Sequence, residues 1–332
     1  MDDSNFRTVV EVAPWESQIG YTDGMVLVGS CFTENIGQRL EHLKFQTVIN
    51  PFGILYNPHS IAHSLQAVMD QKTYEESDLI YHNEKWQSFD HHGRFSAANS
   101  ADCLKKINEA IELAHTALLK AQFLFITVGT AWVYAEKETQ HIVGNCHKFP
   151  GSRFEKKLLG TDEITAILRN TISELLQFNP DLQVCFTVSP IRHWKNGAIN
   201  NQRSKANLLS AVHELVDQND CCCYFPAYEI MMDDLRSYRY YESDLLHPNE
   251  MAQQYIWEKF KGAYLHPDTF ELMQRMQKLK DAQGHRPFDA ESNSFQRFIK
   301  RHLQEIDDLK ETYPFLELSQ EETHFRQMLL GR

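Results

Sequence analysis

The sequence has no long apolar run, no excess of positive charge and no paired-cysteine pattern. Hydrophobic residues make up 42% of the 332 residues, yet none of their runs reaches the ~20 residues that a membrane-spanning helix needs. Asp and Glu (45) outnumber Lys and Arg (33), and the resulting net charge of -12 opposes docking on nucleic acid or anionic lipid. We therefore expect neither nucleic acid nor a membrane surface as a partner.

The first residues and the cysteines both predict a cytoplasmic protein. The segment "MDDSNFRTVVEVAPWESQIG" is acidic and lacks the basic start and apolar core of a secretory signal. The seven cysteines are odd in number, and three of them follow one another at positions 221–223. This usage fits a reducing compartment better than a disulfide framework.

What the chain does contain is an alternation of short apolar segments and helical patterns. Apolar runs rich in β-branched and aromatic residues predict strands at 25–28, 45–50, 122–129 and 183–190, with a weaker fifth strand at 221–230. Apolar stripes at helical spacing follow Ser30 and recur at 100–120, 163–178 and 204–216. Such alternation is typical of a doubly wound α/β domain with a parallel sheet.

Two regions depart from this rhythm. Residues 69–99 form an aromatic and His-rich insertion, which we expect to cover a binding cleft. From residue 263 to 332 the patterns indicate amphipathic helices with charged outer faces, outside a main domain that spans 1–262. The sequence leaves open whether these C-terminal helices pack on the core or mediate self-association as a homo-oligomer.

Two nucleophilic side chains, Ser30 and Cys31, stand where the first strand gives way to a helix. Ser is among the best N-cap residues, so the pattern by itself favours a cap over a catalytic role for Ser30. For Cys31 we expect a small buried residue that points away from Ser30, against the alternative of a thiol nucleophile activated at a helix start.

A serine nucleophile needs a base and a group that orients the base, and the chain offers such a pair at Asp244 and His247. Pro248 disfavours helical geometry at His247, and Asn249 is a good cap for a helix that begins near Glu250. The pair is therefore predicted to lie on a loop at a helix entrance.

Several ordered blocks between about residues 20 and 260 resemble the GSCFA family, within the SGNH (GDSL-type) hydrolases. The segment "GSCFTENIG" carries the family's five-letter signature at positions 29–33, with Thr33 in place of the usual alanine. Further matching blocks are "NPFGILYNP" (50–58), "TVGTAWVY" (127–134), "NCHKFP" (145–150), "TVSPIRHWKNGAINNQRSKANL" (187–208) and the D-x-x-H-P pattern at 244–248. The resemblance implies a three-layer α/β/α sandwich with a five-stranded parallel sheet of flavodoxin-like order 2-1-3-4-5.

Carried over position by position, the resemblance implies a triad of Ser30 as nucleophile, His247 as general base and acid, and Asp244 as the group that orients His247. It also implies an oxyanion hole, for which Gly53 is the second donor. The third block has Thr130 where the superfamily commonly has a G-x-N-D pattern, so the Thr130 hydroxyl or Asn145 is the expected substitute.

The remaining histidines predict substrate contacts and no metal centre. No H-x-H or H-x-x-x-H arrangement with a nearby carboxylate is formed by His91, His92, His141, His147 and His193. No paired C-x-x-C spacing supports zinc either, so we expect no metal and no cofactor. His91, Arg192 and His193 are candidates to line the cleft and contact a polar or anionic substrate group.

These features together predict a serine esterase that removes a short O-acyl group, such as acetyl, from a carbohydrate or a related small molecule. Two alternatives remain open at this point. The same triad would serve an O-acyltransferase, and the fold would also serve a non-catalytic ligand-binding protein.

Overall fold

The computed structural model describes residues 7–285, 289 and 292–329. Its strands, in chain order, are β1 (Gly24–Gly29), β2 (Gln46–Ile49), β3 (Ile80–His82), β4 (Lys85–Gln87), β5 (Phe123–Val128), β6 (Trp132–Glu136), β7 (Ile142–Val143), β8 (Phe154–Leu158), β9 (Gln183–Val188) and β10 (Cys222–Tyr224). Its helices are α1 (Cys31–His42), α2 (Pro58–Met69), α3 (Ser100–Lys120), α4 (Thr161–Phe178), α5 (Gly197–Gln218), α6 (Ala227–Glu229), α7 (Glu250–Tyr264), α8 (Thr269–Gln283), α9 (Asn293–Thr312) and α10 (Ser319–Leu329).

Five of the strands form one parallel sheet in the order β2-β1-β5-β9-β10. Numbered among themselves along the chain, these strands have the order 2-1-3-4-5, so the predicted topology is confirmed. The carboxyl ends of all five strands meet at one edge, where ligands bind in sheets of this type.

Both faces of the sheet are buried, which explains why its central strands are continuous apolar runs. Val26 and Leu124 face a core shared with α2, α3, α4 and α5. Their neighbours Leu27 and Phe125 face a second core, to which α1, α7 and the C-terminal helices contribute. Alternate residues of one strand thus anchor two helical layers, as the prediction of three layers requires.

The fifth strand is shorter than predicted. β10 ends at Tyr224, and residues 227–234 form α6 followed by a turn of π-helix, so the strand prediction for 225–230 is wrong. Pro226 explains the change, because it has no N–H to donate to a ladder and its fixed φ suits a helix start.

The segment that begins at Trp132 does not extend a central strand. β6 pairs antiparallel with β7 and β8 in a separate three-stranded sheet. Within the insertion at 69–99, β3 and β4 form a hairpin, and Phe89 packs against Val143 and Phe154 of the small sheet.

The C-terminal helices pack on the core, which is the first of the two alternatives. Leu279 of α8, Ile306 of α9 and Phe325 of α10 are buried in the same core as α1 and α7. Lys44 Nζ also lies 2.8 Å from the carboxylate of Glu321, which ties α10 to the loop before β2. Among the helices that the structure describes, none has the length and apolar character needed to cross a membrane.

Candidate active site

The turn from β1 into α1 requires glycine at position 29. Gly29 has φ +136°, and a Cβ added there would lie 2.2 Å from the carbonyl oxygen of Thr127 on the neighbouring strand. No L side chain fits that conformation and that space. The glycine therefore brings the start of α1 directly against the carboxyl end of β5.

Ser30 is the N-cap of α1, so the expectation of a cap is confirmed. Its Oγ accepts a hydrogen bond from the Phe32 amide at 3.3 Å, and its own amide donates to the Thr127 carbonyl. The residue is only 1% exposed. Its hydroxyl is thus directed at the helix it caps, in a buried position.

Cys31, and not Ser30, lies at the cavity where the nucleophile of the predicted triad was expected. It is partly exposed and lies on the wall of a cavity of about 560 Å³. Gly129 and Ser189, the residues that follow β5 and β9, line the same cavity, which places it at the carboxyl edge of the sheet. The expectation that Cys31 would be a buried residue is wrong, since it is partly exposed and Ser30 is the more buried of the two.

His247 lines this cavity and forms a close pair with Asp244. The Nδ1 atom of His247 lies 2.5 Å from Oδ2 of Asp244. The other carboxylate oxygen, Oδ1, accepts the amides of Leu246 at 2.8 Å and His247 at 2.9 Å. These amide and imidazole contacts lower the pKa of Asp244 to about 2, so it is a carboxylate at neutral pH.

The loop that carries this pair is held at both ends. Asn249 caps α7 by accepting the Ala252 amide at 3.1 Å. At the other side, Nη2 of Arg192 donates to the Leu245 carbonyl at 2.5 Å. The loop position predicted for Asp244 and His247 is therefore confirmed, and the Nε2 atom of His247 is the ring nitrogen left for the cavity.

The three expected oxyanion donors lie outside the cavity wall, and their amides already have acceptors. The Gly53 amide donates to the Asn50 carbonyl at 2.7 Å, and the Thr130 amide donates to the Tyr56 carbonyl at 2.9 Å. Asn145 donates its amide to the Phe89 carbonyl at 3.0 Å. The backbone amides are thus engaged, while the Thr130 hydroxyl lies 3.2 Å from the Ser204 hydroxyl and Oδ1 of Asn145 accepts the His147 amide at 2.9 Å. The expected oxyanion role of the Thr130 and Asn145 side chains stays a prediction.

Gly53 has a different structural reason to be glycine. Its φ is +78°, and a Cβ there would lie 2.2 Å from the Cβ of His92. The residue permits a tight turn against the insertion at 69–99. The insertion contributes no residue to the wall of this cavity as far as the structure describes it, and its expected role as a cover of a binding cleft stays a prediction.

Of the three residues expected to contact substrate, the structure brings Arg192 and His193 to the cavity and leaves His91 in the core. His91 is fully buried, stacks on Phe52 with ring centroids 4.3 Å apart and contacts Tyr74. Burial lowers its pKa to about 3, so it is a neutral core imidazole.

Arg192 is placed in the cavity without a carboxylate partner among the described residues. Its guanidinium lies 5.1 Å from the ring centroid of Trp194 and 5.2 Å from that of Tyr241. Its Nε is buried and has no hydrogen-bond acceptor within the described part of the chain. The group is thus fixed by two aromatic rings and keeps unused donor capacity.

Lys205 is a residue beside this cavity that the sequence analysis missed. It is fully buried on α5, and its ammonium donates to the carbonyls of Gly129 at 2.9 Å and Ser189 at 2.6 Å. Burial lowers the pKa of Lys205 to about 7, and the neighbouring Cys31 opposes that shift. The available signal was a lysine on the apolar face of a helix, in line with Leu208 and Val212.

A cluster of cations surrounds the cavity. Burial lowers the pKa of His193, and the charges of Lys205, Lys195 and Lys156 lower it further. These groups give the site a local positive charge in a chain whose net charge is -12. Within residues 7–285, 289 and 292–329 no group of three or more His, Cys, Asp or Glu side chains is arranged to hold a metal ion.

Comparison with known proteins places the chain by its sequence. A solved structure from Streptococcus pneumonia, described as a candidate platelet activating factor, is similar over 78% of this chain and 86% of that one, at 12% identity and a TM-score of 0.37. No curated protein matches the sequence. The model of the GSCFA family matches residues 24–260, and the model of the C-terminal domain of GSCFA domain proteins matches residues 276–331. The family model covers more than half of the chain, and the protein therefore belongs to the GSCFA family.

Proposed function

We propose that the protein is an acyl-ester hydrolase of the SGNH type that works through a covalent acyl-enzyme. The observation that carries this proposal is the 2.5 Å Asp244–His247 pair in a cavity that also exposes the start of α1. A carboxylate, an imidazole and a nucleophile at a helix N-terminus are the parts that acyl transfer needs. The resemblance to the GSCFA family implies the base, His247, as well as the nucleophile, Ser30. At the start of α1 the two adjacent candidates for the nucleophile are Ser30 and Cys31.

In this mechanism Asp244 fixes the tautomer of His247. Its carboxylate accepts the Nδ1 proton, so Nε2 is free to accept a proton from the nucleophile. The imidazolium then returns that proton to the departing alcohol. In the second half of the reaction His247 takes a proton from water, which attacks the acyl-enzyme and releases the acid.

The first turn of α1 supplies the oxyanion site in this proposal. The Cys31 amide precedes the first intrahelical hydrogen bond, and among the described residues it donates to no carbonyl. The positive end of the helix dipole favours a negative charge at this place. The buried Lys205 lies behind the same wall, where its charge interacts with Cys31.

The cavity favours a small ester that carries an anionic or strongly polar group. Arg192 and Lys195 provide cations at the wall, and the half-exposed rings of Trp194 and Tyr56 provide flat apolar surfaces of the kind that sugar rings stack on. We therefore propose a short O-acyl group, such as acetyl, on a carbohydrate or related small alcohol.

All seven cysteines are free thiols, and a cytoplasmic location remains part of the proposal.

The test is hydrolysis of p-nitrophenyl acetate and acetylated sugars by the wild type and three variants. His247→Ala and Asp244→Asn should each lower turnover by at least about a hundredfold, because the base is lost or wrongly oriented. His266→Ala is the matched control, since His266 is also an exposed histidine paired with an aspartate, at 3.4 Å from Asp268. Equal turnover in His247→Ala and wild type would contradict the proposal.

One observation favours a second candidate, a non-catalytic ligand-binding protein. The Gly53 amide, which the hydrolase prediction needed as the second oxyanion donor, donates to the Asn50 carbonyl, and the Thr130 hydroxyl lies 3.2 Å from the Ser204 hydroxyl. If the wild type hydrolyses none of the esters yet still binds an acetylated or acidic sugar, the binding protein is the correct assignment. Turnover that requires an added alcohol acceptor and forms a new ester of that alcohol would instead assign an O-acyltransferase.

A further inference from the structure

The structure separates two neighbouring nucleophiles that the sequence could not distinguish. Ser30 is 1% exposed, and its Oγ accepts the Phe32 amide. Cys31 is partly exposed and shares a cavity wall with His247. Of the two residues, Cys31 lines the cavity that His247 also lines, whereas Ser30 is not among its lining residues.

We propose that Cys31 is the nucleophile, so that the protein is a thiol acyl hydrolase and its covalent intermediate is a thioester. This inference rests on the proposed function, because it assigns one atom of the same acyl-transfer site. It depends on more than a single cysteine, since His247, paired with Asp244, lines the same cavity and the charge of Lys205 acts on the thiol.

The surroundings of Cys31 define how the thiol is activated. Burial raises its pKa, while the amides of Cys31 and Phe32 and the charge of Lys205 act in the opposite direction without reversing the rise. The resting group is therefore a thiol at neutral pH. A thiol in this state needs a base at the moment of attack, and His247 is the base in the same cavity.

Each half of the reaction forms one bond to the acyl carbon, breaks another and moves one proton through His247. The Cys31 sulfur attacks the ester carbonyl carbon, a C–S bond forms, and the thiol proton moves to Nε2 of His247. Collapse of the tetrahedral intermediate breaks the C–O bond, and the same proton passes to the alcohol oxygen. Water then adds to the thioester as His247 takes its proton, the C–S bond breaks, and the proton returns to the sulfur as the carboxylic acid leaves.

Ser30 has a structural role in this assignment. As the N-cap it satisfies one of the amides at the start of α1 and sets the direction in which the next side chain leaves the helix. Ser30→Ala should therefore weaken the fold and leave the chemistry in place. The comparison of Ser30→Ala with Cys31→Ala therefore distinguishes the capping residue from the nucleophile.

The first experiment measures alkylation of the full-length protein by iodoacetamide, with peptide mass spectrometry as the readout. Cys31 is the only cysteine of the tryptic peptide 8–39, so its modification is read directly. His247→Ala should slow alkylation of Cys31 by at least about tenfold, because the base no longer takes the thiol proton. Cys146, a half-buried thiol whose pKa is also raised by burial, is the internal control and should react at an unchanged rate.

The second experiment measures ester hydrolysis in Cys31→Ala, Cys31→Ser and Ser30→Ala, with Cys146→Ala as the matched control. Cys31→Ala should lose turnover, Cys31→Ser should keep a small part of it, and the other two variants should keep most of it. An acyl group trapped on peptide 8–39 should be removed by neutral hydroxylamine, as a thioester is.

The outcomes distinguish this inference from the proposed function. Loss of turnover in Ser30→Ala, full turnover in Cys31→Ala and fluorophosphonate labelling of Ser30 would overturn the inference and leave the hydrolase intact. No ester hydrolysis together with His247-dependent alkylation of Cys31 would support the thiol and base pairing and overturn the substrate class. Alkylation of Cys31 at the same rate in wild type and His247→Ala would overturn the inference on its own.

Discussion

A buried ammonium group is an uncommon feature at any site, and here Lys205 lies directly behind the cavity wall. Its two acceptors are backbone carbonyls, of the residues that follow β5 and β9. Burying an ion without a carboxylate partner costs free energy unless hydrogen bonds or a changed charge state offset the cost. The residue therefore holds together the two loops that line the cavity, at an energetic cost that depends on pH.

The pH dependence of stability follows from the pKa of Lys205. An unfolded chain has this lysine at its ordinary value of 10.5, whereas burial lowers the native value to about 7. Between these two values the unfolded state binds more protons, so this lysine makes the free energy of unfolding rise with pH. In Lys205→Met that contribution is absent at every pH.

We expect the difference in unfolding free energy, wild type minus Lys205→Met, to increase by at least about 1 kcal/mol between pH 7 and pH 10. Urea denaturation at several pH values measures it. Lys105→Met is the matched control, because the Lys105 side chain is 69% exposed and should show no such trend. A difference that stays flat or falls with pH would contradict the assignment of a depressed pKa.

At the scale of a single element, the strand-turn-helix unit of β1 and α1 decides which side chain faces the substrate. Ser30 has an extended backbone as the N-cap, with φ -75° and ψ 177°, whereas Cys31 is the first helical residue. The capping side chain and the partly exposed one are therefore adjacent in sequence and differ in backbone conformation. Gly29 sets the phase of this unit, because its φ of +136° fixes how the chain leaves the strand. A change at Gly29 therefore affects the fold and the site together.

Gly29→Ala should lower the free energy of unfolding by more than about 3 kcal/mol, since the new Cβ would lie 2.2 Å from the Thr127 carbonyl oxygen. The shift of the urea midpoint measures it. Gly151→Ala is the matched control, because a Cβ at Gly151 meets nothing within 4 Å, and its midpoint should stay close to that of wild type. A Gly29→Ala protein as stable as wild type would show that the turn at position 29 does not require glycine.

The central strands could be predicted from sequence because both of their faces are buried, which leaves continuous apolar runs in β1, β5 and β9. The small sheet of β6, β7 and β8 was not predictable in the same way, since β8 reads "FEKKL" and exposes most of its side chains. The fifth strand was predicted too long because its apolar letters continue past Pro226 into a helical turn.

At the candidate site, local turn chemistry was predictable and side-chain direction was not. The Asp244–His247 loop follows from a proline and a cap within five residues. The burial of His91 and the exposure of Cys31 depend on how distant segments pack, as when Phe52 stacks on His91. Lys205 was missed because a lysine in a helical stripe resembles a solvent-exposed residue unless its apolar neighbours are considered.

At the scale of the whole molecule, charge is distributed unevenly. The chain carries a net charge of -12, yet Arg192, Lys195 and the buried Lys205 meet at one cavity. A cleft of one sign attracts ligands of the other sign, and this field acts over several ångströms. The molecule as a whole thus repels polyanions while this edge of its sheet favours a small anion, in agreement with the proposed acidic or polar ester.

The C-terminal helices belong to the same body as the sheet. Leu279, Ile299 and Leu309 are buried in the core that also contains Phe32 and Ile36 of α1. Helix α1 therefore packs in a core that the sheet and the C-terminal helices share. A rigid α1 is what a preorganised nucleophile and oxyanion site would require.

In the proposed reaction, acyl transfer passes through a covalent bond at the start of α1. The most direct measurement is rapid acid quenching of the wild-type protein with p-nitrophenyl acetate, followed by mass spectrometry of peptide 8–39. We predict an acetyl-sized mass increase on this peptide that forms within one turnover, decays on dilution into buffer and is absent in His247→Ala. Hydrolysis of the ester by the wild type with no covalent adduct on peptide 8–39 would contradict the account.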